Sequence, residues 1–141
     1  MSLSQFFKKN KLVRQNTQYA VTESLMDEKG EPLKWEIKAI STKQAEAIRD
    51  ACTKDVPVPG KPNMFRPKLD TKKYLGKLLT ASVVYPDLYN AELQDSYGVT
   101  TPEELLVEMV DDPKEYNSFV EFVQNYNGFE SMKTKVDEVK N

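Results

Sequence analysis

The sequence has no histidine and a single cysteine among its 141 residues. Without histidine there is no imidazole general base, no Ser-His or Cys-His nucleophile pair and no imidazole metal ligand. The lone Cys52 cannot form an intramolecular disulfide, and it excludes a cysteine-rich zinc site. These absences remove much of the usual repertoire of enzyme side chains, and they fit a protein that acts through its apolar surface.

Long hydrophobic runs are missing as well. The first twelve residues contain no apolar stretch of about seven residues, so they do not have the pattern of a secretory signal peptide. Nowhere do about 18 apolar residues follow one another, which predicts no membrane span and no membrane partner. A free thiol in such a chain indicates the reducing environment of the cytoplasm.

Charge of one sign is not in excess. Twenty bases stand against 22 acids, for a net charge of −2, and we expect the two signs to be interspersed. Nucleic-acid-binding proteins normally show a basic excess, so no nucleic-acid partner is predicted. About a quarter of the residues are Leu, Ile, Val or Phe, enough to support a folded core, and the length fits one domain.

The clearest structural pattern is the strict alternation of apolar and charged residues over 33–39. This period of two is typical of a half-buried strand. Upstream apolar residues have a similar spacing, and the segment 27–32 between the two runs is rich in turn-forming residues. We therefore predict an antiparallel β-hairpin formed by residues 17–26 and 33–40. One hairpin is barely stable alone, so its apolar face must pack on helices.

Helix-start signals recur along the rest of the chain. The predicted N-caps are Ser41, Asp70, Asn90, Thr101 and Asp112. A further short helix is expected from Ser2 or Ser4 to about Lys11, and the helix after Asp70 is expected to run to Pro86. The proline-rich segment 54–69 predicts an irregular loop, with at most a short strand near Phe65.

The predicted fold class is α+β, with an N-terminal β-hairpin packed on a mostly α-helical domain of five to six short helices. Residues 1–128 form this single domain, and residues 129–141 form a tail that is either helical or frayed. Neither a repeat of 20–50 residues nor a low-complexity tract is present.

Apolar residues after residue 100 are more numerous than one core-facing helix stripe requires. Such helices are buried on several sides, either within the domain or against a partner. The apolar stripe of the tail belongs either to a frayed end or to a helix that completes itself in a groove of another protein. The candidate partner-binding residues are Val107, Val110, Phe122, Tyr126, Phe129, Met132, Val136 and Val139.

Other conspicuous residues favour structural roles. The bases around Lys8 and Arg14, next to Phe6 and Phe7, are better explained as a solvated helix end than as a single-stranded nucleic-acid site. Trp35 and Cys52 lie at apolar positions and are predicted to be buried. Paired carboxylates such as Glu103 and Glu104 complement a helix N-terminus more simply than they serve acid–base catalysis. No catalytic, cofactor-binding or metal-binding residue is predicted.

Five stretches in a fixed order, together with the Ser-Leu-Ser start, carry a family resemblance. They include Trp-Glu-Ile-Lys-Ala-Ile at 35–40, Val-Pro-Val-Pro-Gly within 52–61, Val-Val-Tyr-Pro-Asp-Leu at 83–88, Ala-Glu-Leu-Gln-Asp-Ser-Tyr-Gly-Val at 91–99 and Asn-Gly-Phe at 127–129. In this arrangement the chain resembles the XkdN-like tail assembly chaperones of tailed phages and phage-derived elements. The resemblance covers about residues 1–129, and none of these stretches encodes a chemistry.

The resemblance implies a non-enzymatic protein made in the cytoplasm of the bacterial host and absent from the mature virion. Its implied partners are the tape measure protein, which it would keep soluble, and the tail tube protein, which it would help to assemble. Relatives often occur in two lengths through a translational frameshift, and this sequence would be the shorter product. Self-association stays open, and no cofactor is implied.

A structural adaptor retained in the phage tail is the alternative. A small enzyme or nuclease inhibitor has no supporting group of residues.

Overall fold

The computed structural model describes residues 2–128 and confirms the α+β fold class. Five α-helices lie in this part of the chain: α1 Thr42–Ala51, α2 Thr71–Ser82, α3 Ala91–Ser96, α4 Pro102–Met109 and α5 Pro113–Tyr126. The strands are β1 Thr17–Tyr19, β2 Trp35–Ile37, β3 Thr53–Pro57, β4 Phe65–Leu69 and β5 Val83–Tyr85. They form a three-stranded sheet in the order β1-β2-β5 and a separate two-stranded sheet of β3 and β4.

The five predicted helix starts are confirmed, because each N-cap side chain accepts a backbone N–H from the first turn. At α1 the Ser41 hydroxyl accepts the Gln44 N–H at 3.1 Å, and the Gln44 side chain accepts the Ser41 N–H at 3.0 Å. This reciprocal pair satisfies two backbone donors that the helix itself cannot. The chain before β1 differs from the prediction, since it forms two short 3₁₀ turns, Leu3–Phe6 and Lys8–Asn10, instead of one α-helix.

The predicted N-terminal hairpin is confirmed, although its ladder is short. β1 and β2 pair antiparallel, with Thr17 opposite Ile37 and Tyr19 opposite Trp35. An isolated bridge between Met26 and Pro32 closes the connecting loop.

The sheet gains β5, which the sequence interpretation had placed inside a helix. α2 ends at Ser82, and the next three residues pair antiparallel with β2. Two consecutive β-branched valines followed by tyrosine favour a strand over a helix, and Pro86 then ends the pairing.

The segment predicted as an irregular loop is mostly β-structure instead, because β3 and β4 pair in register from Thr53 opposite Leu69 to Pro57 opposite Phe65. The short strand expected near Phe65 is present as the start of β4. Both strands of a two-stranded sheet are edge strands, so a proline can occupy a position where no N–H is required. Asn63, with φ of +66°, and Gly60, with φ of +75°, supply the left-handed conformations of the connecting turn.

The helices and the three-stranded sheet enclose one core. Trp35 is 2% exposed and meets the Phe119 ring edge-on at a centroid distance of 6.0 Å, which confirms its predicted burial. Cys52 is buried as predicted. The largest fully buried aliphatic side chains come from β2, α2, α4 and α5, with Leu88 from the segment before α3: Ile37, Leu78, Leu79, Leu88, Leu105, Leu106 and Val123. This core fixes α2, α4 and α5 against one another.

Candidate partner-binding surface

Two of the predicted partner-binding residues contact the N-terminal part of their own chain. Phe122 stacks on Tyr19 of β1 at a centroid distance of 4.1 Å, and Tyr126 follows at 6.0 Å from Phe122. The Arg14 guanidinium lies 5.2 Å from the centre of the Tyr126 ring and donates a hydrogen bond to its backbone carbonyl. The Tyr126 hydroxyl donates to the carbonyl of Gln15. The aromatic side chains that widen the apolar face of α5 therefore pack against the chain segment that precedes β2 and hydrogen-bond to it.

A third predicted residue, Val110, is 2% exposed and packs in the core directly after α4. Leu105, Leu106 and Met109 of α4 are buried as well. The additional apolar residues of this helix are therefore buried within the domain, which is one of the two possibilities that the sequence leaves open. Val110 has almost no exposed surface for a partner to contact. The predicted tail residues Phe129, Met132, Val136 and Val139 lie outside the described residues.

Val107 is the predicted residue that α4 presents to solvent, with 52% of its surface exposed. It lies between two adjoining depressions of about 420 and 290 Å³, both of which are lined by Lys72, Val107 and Tyr116. We call this combined surface the Val107 groove. Its other lining residues come from α2 and its N-cap, from the start of α4, from the α4–α5 connection and from the start of α5: Asp70, Lys73, Leu75, Gly76, Lys77, Glu103, Val110, Asp111, Pro113 and Asn117.

Gly76, in the middle of α2, lines the floor of the groove without a side chain. A Cβ atom built on Gly76 would lie 3.5 Å from Cγ of Glu103, an ordinary van der Waals distance. The absence of a side chain therefore lowers the floor without being required by crowding. A mid-helix glycine costs about 0.5–1 kcal/mol relative to alanine.

Charged and hydrogen-bonding groups surround this apolar floor. Nζ of Lys77 lies 3.3 Å from Oε1 of Glu103, which joins α2 to α4 across the groove. Tyr116 is half-buried, and burial raises the pKa of its phenol. The hydroxyl accordingly stays protonated near neutral pH and can donate a hydrogen bond to a bound molecule.

An apolar floor with charged edges suits the apolar stripe of an amphipathic helix better than a small reactive substrate. Glu103, one of the carboxylates considered for acid–base work, is paired with Lys77. Within residues 2–128 no cluster of three or more histidine, cysteine or carboxylate side chains could hold a metal ion. In the same part of the chain, no helix has the length and hydrophobicity needed to cross a bilayer.

Most of the exposed apolar side chains lie outside the surface that the sequence predicts for partner binding. Within the described residues, Val107 is the one large hydrophobic after residue 100 that is more than about a third exposed. The largest concentration is at the other end of the chain: Leu3, Phe6, Phe7, Leu12 and Val13. The alternation of apolar and basic residues over 3–14 is the signal that could have identified it.

Comparison with known proteins gives a consistent result. The family described as "Phage XkdN-like tail assembly chaperone protein" matches residues 3–140, so the match extends beyond the resemblance noted above and into the tail. The chain is 23% identical over 122 residues to the "Phage-like element PBSX protein XkdN" of Bacillus subtilis (strain 168), covering 86% of this chain and 81% of that protein.

The same fold occurs in the crystal structure of the protein yqbn, with a TM-score of 0.77 and 19% sequence identity. That likeness covers 92% of this chain and 98% of the other. The match over nearly the whole length shows that the chain belongs to the XkdN-like family of phage tail assembly chaperones.

Proposed function

We propose that this chaperone binds an amphipathic helical segment of the tape measure protein in the Val107 groove. The observation that carries the proposal is the position of Val107, exposed between two adjoining depressions whose floor and edges come from three helices. A helix laid into such a groove buries its apolar stripe and places its polar flanks against the charged edges.

The energetic scale fits a reversible chaperone. Burying a valine side chain completely contributes about 1.5–3 kcal/mol, so covering the exposed half of Val107 contributes about 1 kcal/mol. Tyr116 and Leu75 add apolar area on the same floor. A long helical tape measure protein would present many such stripes, and uncovered stripes of this kind lead to aggregation.

By covering these stripes, the protein would keep the tape measure protein soluble in the host cytoplasm and help tail tube subunits to gather on it. The proposed action requires no reacting group, in keeping with a chaperone family. The protein would leave before the virion is complete.

The test is co-expression with the tape measure protein from the same genome, measuring the soluble fraction of that protein and its co-purification. Val107→Asp should sharply reduce both, because it places a charge on the apolar floor. Met64→Asp is the matched control: Met64 lies in the turn between β3 and β4, outside the groove, and is 53% exposed against 52% for Val107. Thermal unfolding of both variants verifies that each remains folded.

Equal loss with both variants, or no loss with Val107→Asp, would refute binding at this groove. Mass spectrometry of purified particles separates the chaperone from a structural adaptor. The chaperone should be missing from the particles, whereas stoichiometric copies would support an adaptor retained in the tail.

A further inference from the structure

Charge is strongly segregated along this chain, contrary to the interspersion expected from its totals. Residues 1–16 carry four bases and no acid. Residues 83–128, which contain α3, α4 and α5, carry ten acids and one base, Lys114. Within residues 2–128 the pair between Lys77 and Glu103 is the one ion pair present, so the bases of residues 1–16 and all but one of the acids of residues 83–128 have no ion-pair partner in this part of the chain. The two segments therefore carry charges of opposite sign that other molecules can contact.

The basic end is also the most apolar exposed segment. We call residues 3–14 the N-terminal arm. Its Phe6 and Phe7 are 76% and 52% exposed, and Leu12 and Val13 are more exposed still. The arm is attached to the domain where Arg14 meets Tyr126 of α5. Large apolar side chains left in water at this density mark a binding segment.

A candidate receptor lies where the β1–β2 hairpin meets β5, α3 and α4. A depression of about 240 Å³, which we call the Tyr85 groove, is lined by eight apolar or aromatic side chains and one lysine. Tyr85 and Leu33 at its edge are 67% and 43% exposed, and the buried Trp35 lies deeper. Exposed carboxylates are next to its lining residues in the chain, with Asp87 after Pro86 and Glu92 before Leu93.

We infer that the N-terminal arm of one copy docks in the Tyr85 groove of a second copy. Phe6 and Phe7 enter the apolar groove, while the lysines that follow them face the carboxylates beside it. The arm of the same copy does not occupy this groove, since its apolar side chains are exposed. The tail is a weaker candidate on charge, because residues 129–141 carry three bases and three acids and have no net attraction to an acidic surface.

This inference is independent of the proposed function, because the Tyr85 groove and the Val107 groove share no lining residue. A failure of self-association leaves tape measure binding untouched, and the reverse also holds. The two surfaces together would allow several copies to line up on one long partner.

The first test is sedimentation velocity of the full chain over a range of concentrations. The inference predicts a concentration-dependent dimer or larger species. The double variant Phe6→Ser with Phe7→Ser should raise its dissociation constant about tenfold or more. Raising ionic strength from about 0.05 M to about 0.5 M should weaken it several-fold, because exposed charges are then screened. Phe65→Ser is the matched control, since Phe65 is an exposed phenylalanine on β4 and should have no effect.

The second test locates the contact by cross-linking. Cys52 is 3% exposed, so an introduced surface cysteine is the reactive thiol. Two differently tagged full-length variants, Phe6→Cys and Leu33→Cys, are mixed and oxidised, with Phe6→Cys and Phe65→Cys as the control pair. A heterodimeric cross-link specific to the first pair supports the inference. A monomer at all concentrations, a cross-link formed equally in the control pair, or a cross-link confined to single chains of the Phe6→Cys, Leu33→Cys double variant would overturn it.

Discussion

The glycine in the middle of α2 gives the sharpest stability prediction. Gly76 lies on the floor of the Val107 groove, and its backbone is that of an ordinary helix residue. Gly98 provides a contrast, because it follows α3 with φ of +68°, in the left-handed region that penalises side chains. The same change, glycine to alanine, should therefore have opposite effects at the two positions.

The expected magnitudes follow from these two geometries. Gly76→Ala should stabilise the fold by about 0.5–1 kcal/mol, because alanine loses less backbone entropy in a helix. The added methyl group meets Cγ of Glu103 at 3.5 Å, so no clash offsets the gain. Gly98→Ala should cost about 1–2 kcal/mol through left-handed strain.

Circular dichroism during thermal and urea unfolding measures both changes. For a chain of this size, the melting temperature should rise by about 2–4 °C for Gly76→Ala and fall by about 3–8 °C for Gly98→Ala. Destabilisation by Gly76→Ala would refute the argument that the groove floor is open. The methyl group also narrows the groove, so this more stable variant should bind the tape measure protein less tightly.

Three further predictions concern the core, a helix cap and a titrating group. Phe119→Ala removes a ring that is 0% exposed and should cost about 3–5 kcal/mol in urea unfolding, whereas a cost below about 1 kcal/mol would contradict its central place in the core. Ser41→Ala removes the side-chain half of the capping box and should cost about 1 kcal/mol by the same assay, and an unchanged midpoint would contradict the cap. Burial and then the nearby carboxylates of Glu115 and Glu121 raise the pKa of Tyr19, so the folded state favours the neutral phenol. That contribution to stability is intact below about pH 10 and is lost as pH rises through the raised pKa, so Tyr19→Phe should lose less stability in alkaline urea titrations than the unmodified chain.

Local sequence signals were sufficient for the helix starts and for the central strand. A cap such as Ser41 with Gln44 forms its hydrogen bonds within four residues, so the sequence alone determines it. The alternation of apolar and charged residues around Trp35 likewise predicts which face of β2 is buried. Trp35, on that face, is only 2% exposed.

Elements that depend on distant pairing were not predictable in the same way. β5 forms because β2, from a distant part of the chain, offers it a hydrogen-bonding edge. Apolar residues alone do not distinguish a strand from the end of a helix in so short a run. Prolines in β3 and β4 indicate a loop until it is known that both strands are edges.

The site was predictable only in part for a related reason. An excess of apolar residues indicates that a helix is buried on several sides, but it does not identify the elements or the partner that bury it. Val110 is buried in the core of the domain. Phe122 is covered by the ring of Tyr19, which lies more than 100 residues earlier in the chain. Val107 was identified because it falls on the one side of α4 that the core does not use.

Hydrogen–deuterium exchange on the co-purified complex with the tape measure protein would show which surface of this chain the partner covers. Binding in the Val107 groove predicts slower exchange in α2 around residues 72–77 and in α4 and the start of α5 around residues 103–117, with little change in β3 and β4. Slower exchange restricted to other parts of the chain, with the Val107 region unchanged, would rule out binding in the Val107 groove.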